Sequence, residues 1–182
     1  MLRAIVVGFM AATVMLLIAA VFFCDEGELG KIDRAGLAHY RRGEYMQSLA
    51  TWESGLAKFP KSPRLHFRIG TVLAVRGNFR DAADYLERGL RLSPDNHEMS
   101  RELALCYFQD ERLDDAEREL KSLIARADWF PEAHYFLGLI YEQRGRRDRA
   151  LEQYVKELNV NPSCTYAWAK IHTWEKPERP SR

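Results

Sequence analysis

The chain is short of cysteine, of net charge and of clustered glycine, and each shortage removes a class of function. Its three cysteines, Cys24, Cys106 and Cys164, are odd in number and show neither a CxxC pair nor metal-ligand spacing. No disulfide framework and no metal site are therefore expected. The 27 basic residues include Arg3, which leaves 26 beyond it to balance 26 acidic ones, with histidine neutral. A chain without excess positive charge has no electrostatic footprint for a phosphate backbone, so no nucleic-acid partner is expected. The glycines are spread out and form no phosphate-cradling loop. Nothing in this inventory supplies a nucleophile with its base, and the expectation is a chain with no cofactor, no catalytic residues and no enzymatic activity.

What the chain does have is a period. Gly43, Gly77 and Gly145 sit at one phase of a 34-residue repeat, and Pro60, Pro94 and Pro162 at another. Gly36, Gly70 and Gly138 mark a third phase, with Ala104 where the third repeat lacks Gly, and Ala82, Ala116 and Ala150 mark a fourth, with Ser48 in the first repeat. Between these marks the patterning is helical. Phe79, Ala82, Leu86, Gly89 and Leu90 fall at three-and-four spacing and form one stripe. Ile69, Gly70 and Leu73 do the same on the helix before, which stops at Arg76-Gly77-Asn78, where glycine takes the left-handed conformation. Each repeat is thus expected to be two antiparallel helices joined by a tight turn, with the small residue allowing close approach and the proline closing the second helix. Asp128 replaces that proline in the third repeat and leaves its exit less sharply set.

A 34-residue period with these marks resembles the tetratricopeptide repeat. The resemblance covers roughly Lys31 to Ser163 and implies an all-α solenoid that binds other proteins. His66 and His134 lie two periods apart, at a site where the family often has a large packing residue, so packing and not proton transfer is expected of them. Asp110-Glu111 and Asp114-Asp115 are expected at a solvated turn and helix start.

In the family the first helix of each repeat lines a concave face. Here that implies a partner-binding surface of Arg64, Phe67, Arg68, Thr71, Arg101, Leu105, Phe108, Tyr135 and Leu139, flanked by Leu37, Tyr40 and Glu142. Arg64 and Arg68, one turn apart, are suited to gripping an acidic group together. The bland reading of Phe67, Phe108 and Tyr135 is packing between successive helices. The basic and amide clamp of some members is not matched, since Asp33 and Leu37 stand where it would want Lys and Asn.

The start is of another kind. Ala4 to Cys24 holds no charged residue in 21 positions, a helix of about 31 Å, the thickness of a bilayer's hydrocarbon core. The run is too long for a cleaved secretory signal and has bulky Phe22 and Phe23 where small residues are wanted. Ala4, Gly8 and Ala12 recur every fourth residue, a pattern suited to packing on another membrane helix, although Ala and Gly are common in such spans. Lys31, Arg34, Arg41 and Arg42 after the span favour cytoplasmic repeats by a plain count. They belong to a folding domain, however, and the three-residue start with one Arg is typical of signal anchors, so the expectation is repeats outside the cytoplasm, periplasmic in a bacterium.

The expected organisation is a transmembrane signal anchor over 1–24, a linker over 25–30, and four repeats within 31–163, at about 29–62, 63–96, 97–130 and 131–164. A lone capping helix over 164–174, with Cys164 accessible, and a disordered tail over 175–182 complete it. The function expected is a membrane-anchored adaptor or assembly factor holding a protein partner. The alternative is a structural subunit built into a larger membrane complex through its span and its convex repeat surface.

Overall fold

The computed structural model describes residues 27–175, which are helical throughout apart from short turns. Helix α1 covers 27–41. It is followed by α2 (Tyr45–Lys58), α3 (Pro63–Val75), α4 (Phe79–Leu92), α5 (His97–Gln109), α6 (Leu113–Arg126), α7 (Ala133–Gln143), α8 (Arg147–Val160) and α9 (Thr165–Glu175). The helix begins inside the stretch expected as linker, where Glu28 pairs with Lys58 at 2.6 Å and so belongs to the first repeat. The expected span, its Ala4, Gly8 and Ala12 pattern, and the tail beyond Glu175 lie outside the described residues. Among the described residues, no helix is long and apolar enough to cross a membrane.

The chain forms two compact units that divide between Leu65 and His66. In the first, Gly36 lies against Trp52 so closely that an added Cβ would stand less than 3.0 Å from the indole. The Ser48 hydroxyl donates to the Gly36 carbonyl at 3.0 Å, which locks the two helices at that crossing. In the second unit, α4 through α9 pack in chain order, and α5 also touches α7 across α6, the stacking of an α-solenoid. Here a Cβ on Gly70 would meet Leu86 at 2.7 Å, and one on Gly138 would meet the Tyr154 ring more closely still. In every repeat the small residue is followed sixteen positions later by a large buried one, Trp52, Leu86, Leu120 or Tyr154.

The turns show why glycine marks the period. In each repeat the first helix ends with an N–H to C=O bond five residues back: Glu44 to His39, Asn78 to Leu73, Arg112 to Tyr107 and Arg146 to Tyr141. That bond defines a Schellman ending, which requires a left-handed residue just before the donor. Gly43, Gly77 and Gly145 supply it with φ of 77°, 81° and 68°, and in the third repeat Glu111 is held there at φ 59°. A side chain in this region costs about 1–2 kcal/mol, partly offset in the glycine case by the unfolded chain's greater entropy. Glu111→Gly should therefore stabilise the second unit by about 0.5–1 kcal/mol, read as a higher urea midpoint, and an unchanged or lowered midpoint refutes the strain.

The missing proline at Asp128 has a visible result. The connection from α6 to α7 is two residues longer than the other connections between repeats, and Glu132, at φ 70°, caps α7 in the left-handed region. One expectation fails outright: Cys164 is buried, not accessible. It lies in the turn before α9, its N–H bonded to Asn161 O and its carbonyl accepting from Trp168 N–H, and its side chain is covered as the helix starts. Cys106 is buried as expected, and desolvation pushes its thiol up to about 12.

Candidate functional site

In the second unit the first helices of successive repeats, α5 and α7, touch directly. Leu105 and Phe108 on α5, and Tyr135 and Leu139 on α7, are all half-buried. That intermediate exposure belongs to a surface that packs along one side and meets solvent along the other. Tyr135 has neighbours in both roles, with ring centroids 5.8 Å from Tyr154 behind it and 5.9 Å from Tyr166 on α9 beside it. Tyr135 thus packs on the helix behind it and on the next first helix beside it.

Ion pairs tie the first helices together along this face. Arg101 on α5 reaches Glu132 at the start of α7 at 2.6 Å, and Lys170 on α9 reaches Glu142 at the end of α7 at 2.8 Å. Tyr154 also donates to Glu142 at 2.6 Å, so that carboxylate is shared between two partners. These links fix the spacing of the row on which the apolar side chains stand.

Arg101 lies on the expected face, yet its charge is spent internally. Its side chain is 18% exposed and bonded to Glu98, Glu102 and Glu132 at 2.8, 2.9 and 2.6 Å. Desolvation works against its charge, but the carboxylates of Glu102, Glu98 and Glu132 outweigh it and raise the guanidinium's pKa. Glu102 moves upward for the opposite balance: burial raises it, Arg101 opposes, and Glu98 and Glu132 add to the rise. The surroundings of Arg101 are therefore acidic, with three carboxylates against one guanidinium.

The other named residues divide between the units. Arg64 belongs to the first unit, exposed, and lines a shallow cleft of about 510 Å³ together with Leu29, Lys58, Phe59, Pro60 and Lys61. Phe67, Arg68 and Thr71 belong to the second. Arg68 is half-buried and already engaged within the protein, and the Thr71 hydroxyl is turned back onto Phe67 O at 2.9 Å. Leu37 and Tyr40 are half-buried on α1, and Tyr40 packs on Tyr45 at 5.6 Å and Trp52 at 6.4 Å. The two equivalent histidines are buried, as their register implies: His134 Nδ1 lies 2.9 Å from Gln153 Oε1, and His66 packs on Tyr85, the residue two periods before Gln153. The acidic pairs at the α5–α6 turn are partly consumed: Asp115 is bound by Arg112 and Arg118, and Asp114 by Arg144.

Two features beside this face were not among the expected residues. Trp129, in the connection before α7, is 63% exposed and forms an edge-on cluster with His97 and Phe130 at 5.8 and 6.0 Å. Glu157 on α8 is fully buried, and its carboxylate accepts from the N–H groups of Glu132 and Tyr135 at 2.8 and 3.3 Å. It stands in for the side-chain cap that Glu132 itself does not make. The signal available in the sequence was a charged residue at the phase of Gly55, Gly89 and Leu123. Among the described residues, no group of three or more His, Cys, Asp or Glu side chains is placed to hold a metal ion.

Paired helices at a 34-residue period, Schellman turns and small-to-large crossings define a tetratricopeptide repeat protein. Tetratricopeptide repeat models match residues 34–79, 67–130 and 131–164, and the chain belongs to that family. Among curated proteins it is similar to the general transcriptional corepressor ssn6 of Schizosaccharomyces pombe, 25% identical over 119 residues, covering 64% of this chain and 11% of the relative. It is also similar to the corepressor trfA of Dictyostelium discoideum, 26% identical over 123 residues, covering 65% and 9%. The chain therefore spans about a tenth of the length of these relatives. Among solved structures it resembles MamA, with TM-score 0.71 and 23% identity over 76% of this chain and 81% of that one. YrrB, described as a TPR protein with an unusual peptide-binding site, matches at TM-score 0.70 and 21% identity over 88% of each chain. PilF of Pseudomonas aeruginosa matches at 0.73 and 18%, over 82% and 68%. At these identities the structural likeness is one of fold.

Proposed function

We propose that this protein is an adaptor or assembly factor that holds an extended segment of a partner protein along the first-helix face of its second unit, tethered to a membrane by residues 4–24. The observation that carries the binding reading is the half-exposed row Leu105, Phe108, Tyr135 and Leu139, held at fixed spacing by the Arg101–Glu132 and Lys170–Glu142 pairs. A pre-formed apolar row with polar edges binds a chain at low ordering cost. The peptide-binding site described for YrrB, a neighbour in fold, supports the same use of this architecture. A second reading has its own observation: Leu151 and Val155, one turn apart on α8, are exposed apolar residues suited to burial in a larger complex.

Photo-crosslinking amino acids at Leu105 and Leu139, compared with Leu151 and Val155, separate the two. Crosslinks in the native membrane from the first pair and not the second support the adaptor. Crosslinks from the second pair alone replace it with the structural subunit.

The tether rests on the 21 uncharged positions from Ala4 to Cys24. The protein should resist extraction from membranes at alkaline pH, and a chain lacking residues 1–24 should be extracted freely. Equal release of both removes the anchor. For sidedness, our proposal has the repeats outside the cytoplasm; since Cys106 and Cys164 are buried, an exposed Lys61→Cys in a Cys24→Ser background is the reporter. Labelling by an impermeant thiol reagent only after cells are opened would reverse the orientation.

A further inference from the structure

We infer that the held segment is basic, and that one of its arginine or lysine side chains docks at the leading ends of α5 and α7, between the Trp129 indole and the carboxylates of Glu98 and Glu132. This rests on the partner-binding reading above and names the chemistry of the partner.

Three observations converge there. An exposed indole stands at the edge of the face, its ring held in place by edge-on contacts with His97 and Phe130. A surface tryptophan offers its π-face to a cation and prefers guanidinium among protein groups. The neighbouring charge has the sign that a cation needs. Arg101, one helical turn after His97, is surrounded by Glu98, Glu102 and Glu132, so the cluster keeps two negative charges beyond what its own guanidinium neutralises. Glu98 and Glu132 are about half exposed and remain open to an incoming group, whereas Arg101 is not.

The polar shell is also incomplete: His97 Nδ1 and the Arg101 Nε–H are shielded from solvent and have no hydrogen-bond partner, and the latter, a donor, calls for a backbone carbonyl of the held segment, not for its cationic side chain. An acidic segment would meet repulsion from the carboxylates and find Arg101 already occupied. A basic one meets complementary charge at one end of the apolar row, with Leu105, Tyr135 and Leu139 beyond it for its apolar side chains.

The test uses the full chain in uncharged detergent and two sets of end-blocked, fluorescent ten-residue peptides. One set carries two arginines and two leucines on an alanine-serine background, and the other has glutamate in place of arginine. Anisotropy should show the arginine set binding about tenfold or more tightly than the glutamate set, with affinity falling as salt is raised. Trp129→Ala and Glu98→Gln, both at exposed side chains, should each weaken the arginine peptides several-fold at an unchanged thermal midpoint. Stronger binding of the glutamate set, absence of arginine-peptide binding, or indifference to both substitutions overturns the inference. Crosslinks from Leu105 and Leu139 to an acidic segment would do the same while leaving the adaptor reading intact, so the two fail separately.

Discussion

Gly138→Leu is expected to lower the stability of the second unit by about 3 kcal/mol, at the upper end of what overpacking costs. At this crossing even a Cβ would stand less than 3.0 Å from the Tyr154 ring. The ring has little freedom to retreat, since it is fully buried and its hydroxyl is bonded to Glu142 at 2.6 Å. The helices must therefore move apart and break the packing between α7 and α8. The third repeat shows a milder solution, Ala104 with Leu120 at the same two phases. Gly138→Ala alone should thus destabilise by about 1–2 kcal/mol, and adding Tyr154→Leu should recover part of that loss, a coupling measurable as a double-mutant cycle in urea. If the two changes are simply additive, the crossing is not held by the fit of these side chains.

Glu157→Ala should cost about 2–4 kcal/mol, because it removes the acceptor of two part-buried N–H groups, a bond to a carboxylate being worth about 1.5–3 kcal/mol at 2.8 Å and less at 3.3 Å. The carboxylate supplies from α8 the cap that the start of α7 lacks, and it reaches both Glu132 and Tyr135 N–H. Glu157→Gln keeps one acceptor oxygen and turns an NH2 toward the second donor, so about half the loss is expected. Glu157→Leu, which copies Leu123, should behave like the alanine variant. Leucine offers no acceptor, and the late start of α7 at Ala133 leaves these N–H groups in need of one. Hydrogen exchange at the amides of Glu132 and Tyr135 should accelerate in the Ala and Leu variants; unchanged protection there would show that the cap is not what holds the turn.

The positions of the helices and turns were legible in the sequence for local reasons. A left-handed residue is needed wherever a helix ends in a Schellman bond, and glycine meets that need so often that Gly43, Gly77 and Gly145 mark the period by themselves. The close crossings were legible for a related reason: a missing side chain at Gly36, Gly70 and Gly138 is a property of one residue, visible without its neighbour. The unpaired last helix was also readable, and it appears as Thr165–Glu175. Even the exception at Asp128 announced that one exit would differ, though not that Glu132 would take the left-handed region in consequence.

The candidate face was only half legible. The repeat register placed Leu105, Phe108, Tyr135 and Leu139 correctly on the first helices, because side-chain direction on a helix follows from spacing alone. It did not reveal that Arg101 would be spent on Glu132, thirty-one residues away, or that a buried Glu157 would cap α7 from α8. By itself the sequence determined the helix pairs, their turns and the rows of side chains each helix presents, since these depend on backbone conformation and residue volume within one repeat. Tertiary structure alone decided the charge of the candidate face, the exposure of Trp129 and the burial of Cys164, because each depends on which groups from neighbouring repeats arrive beside it.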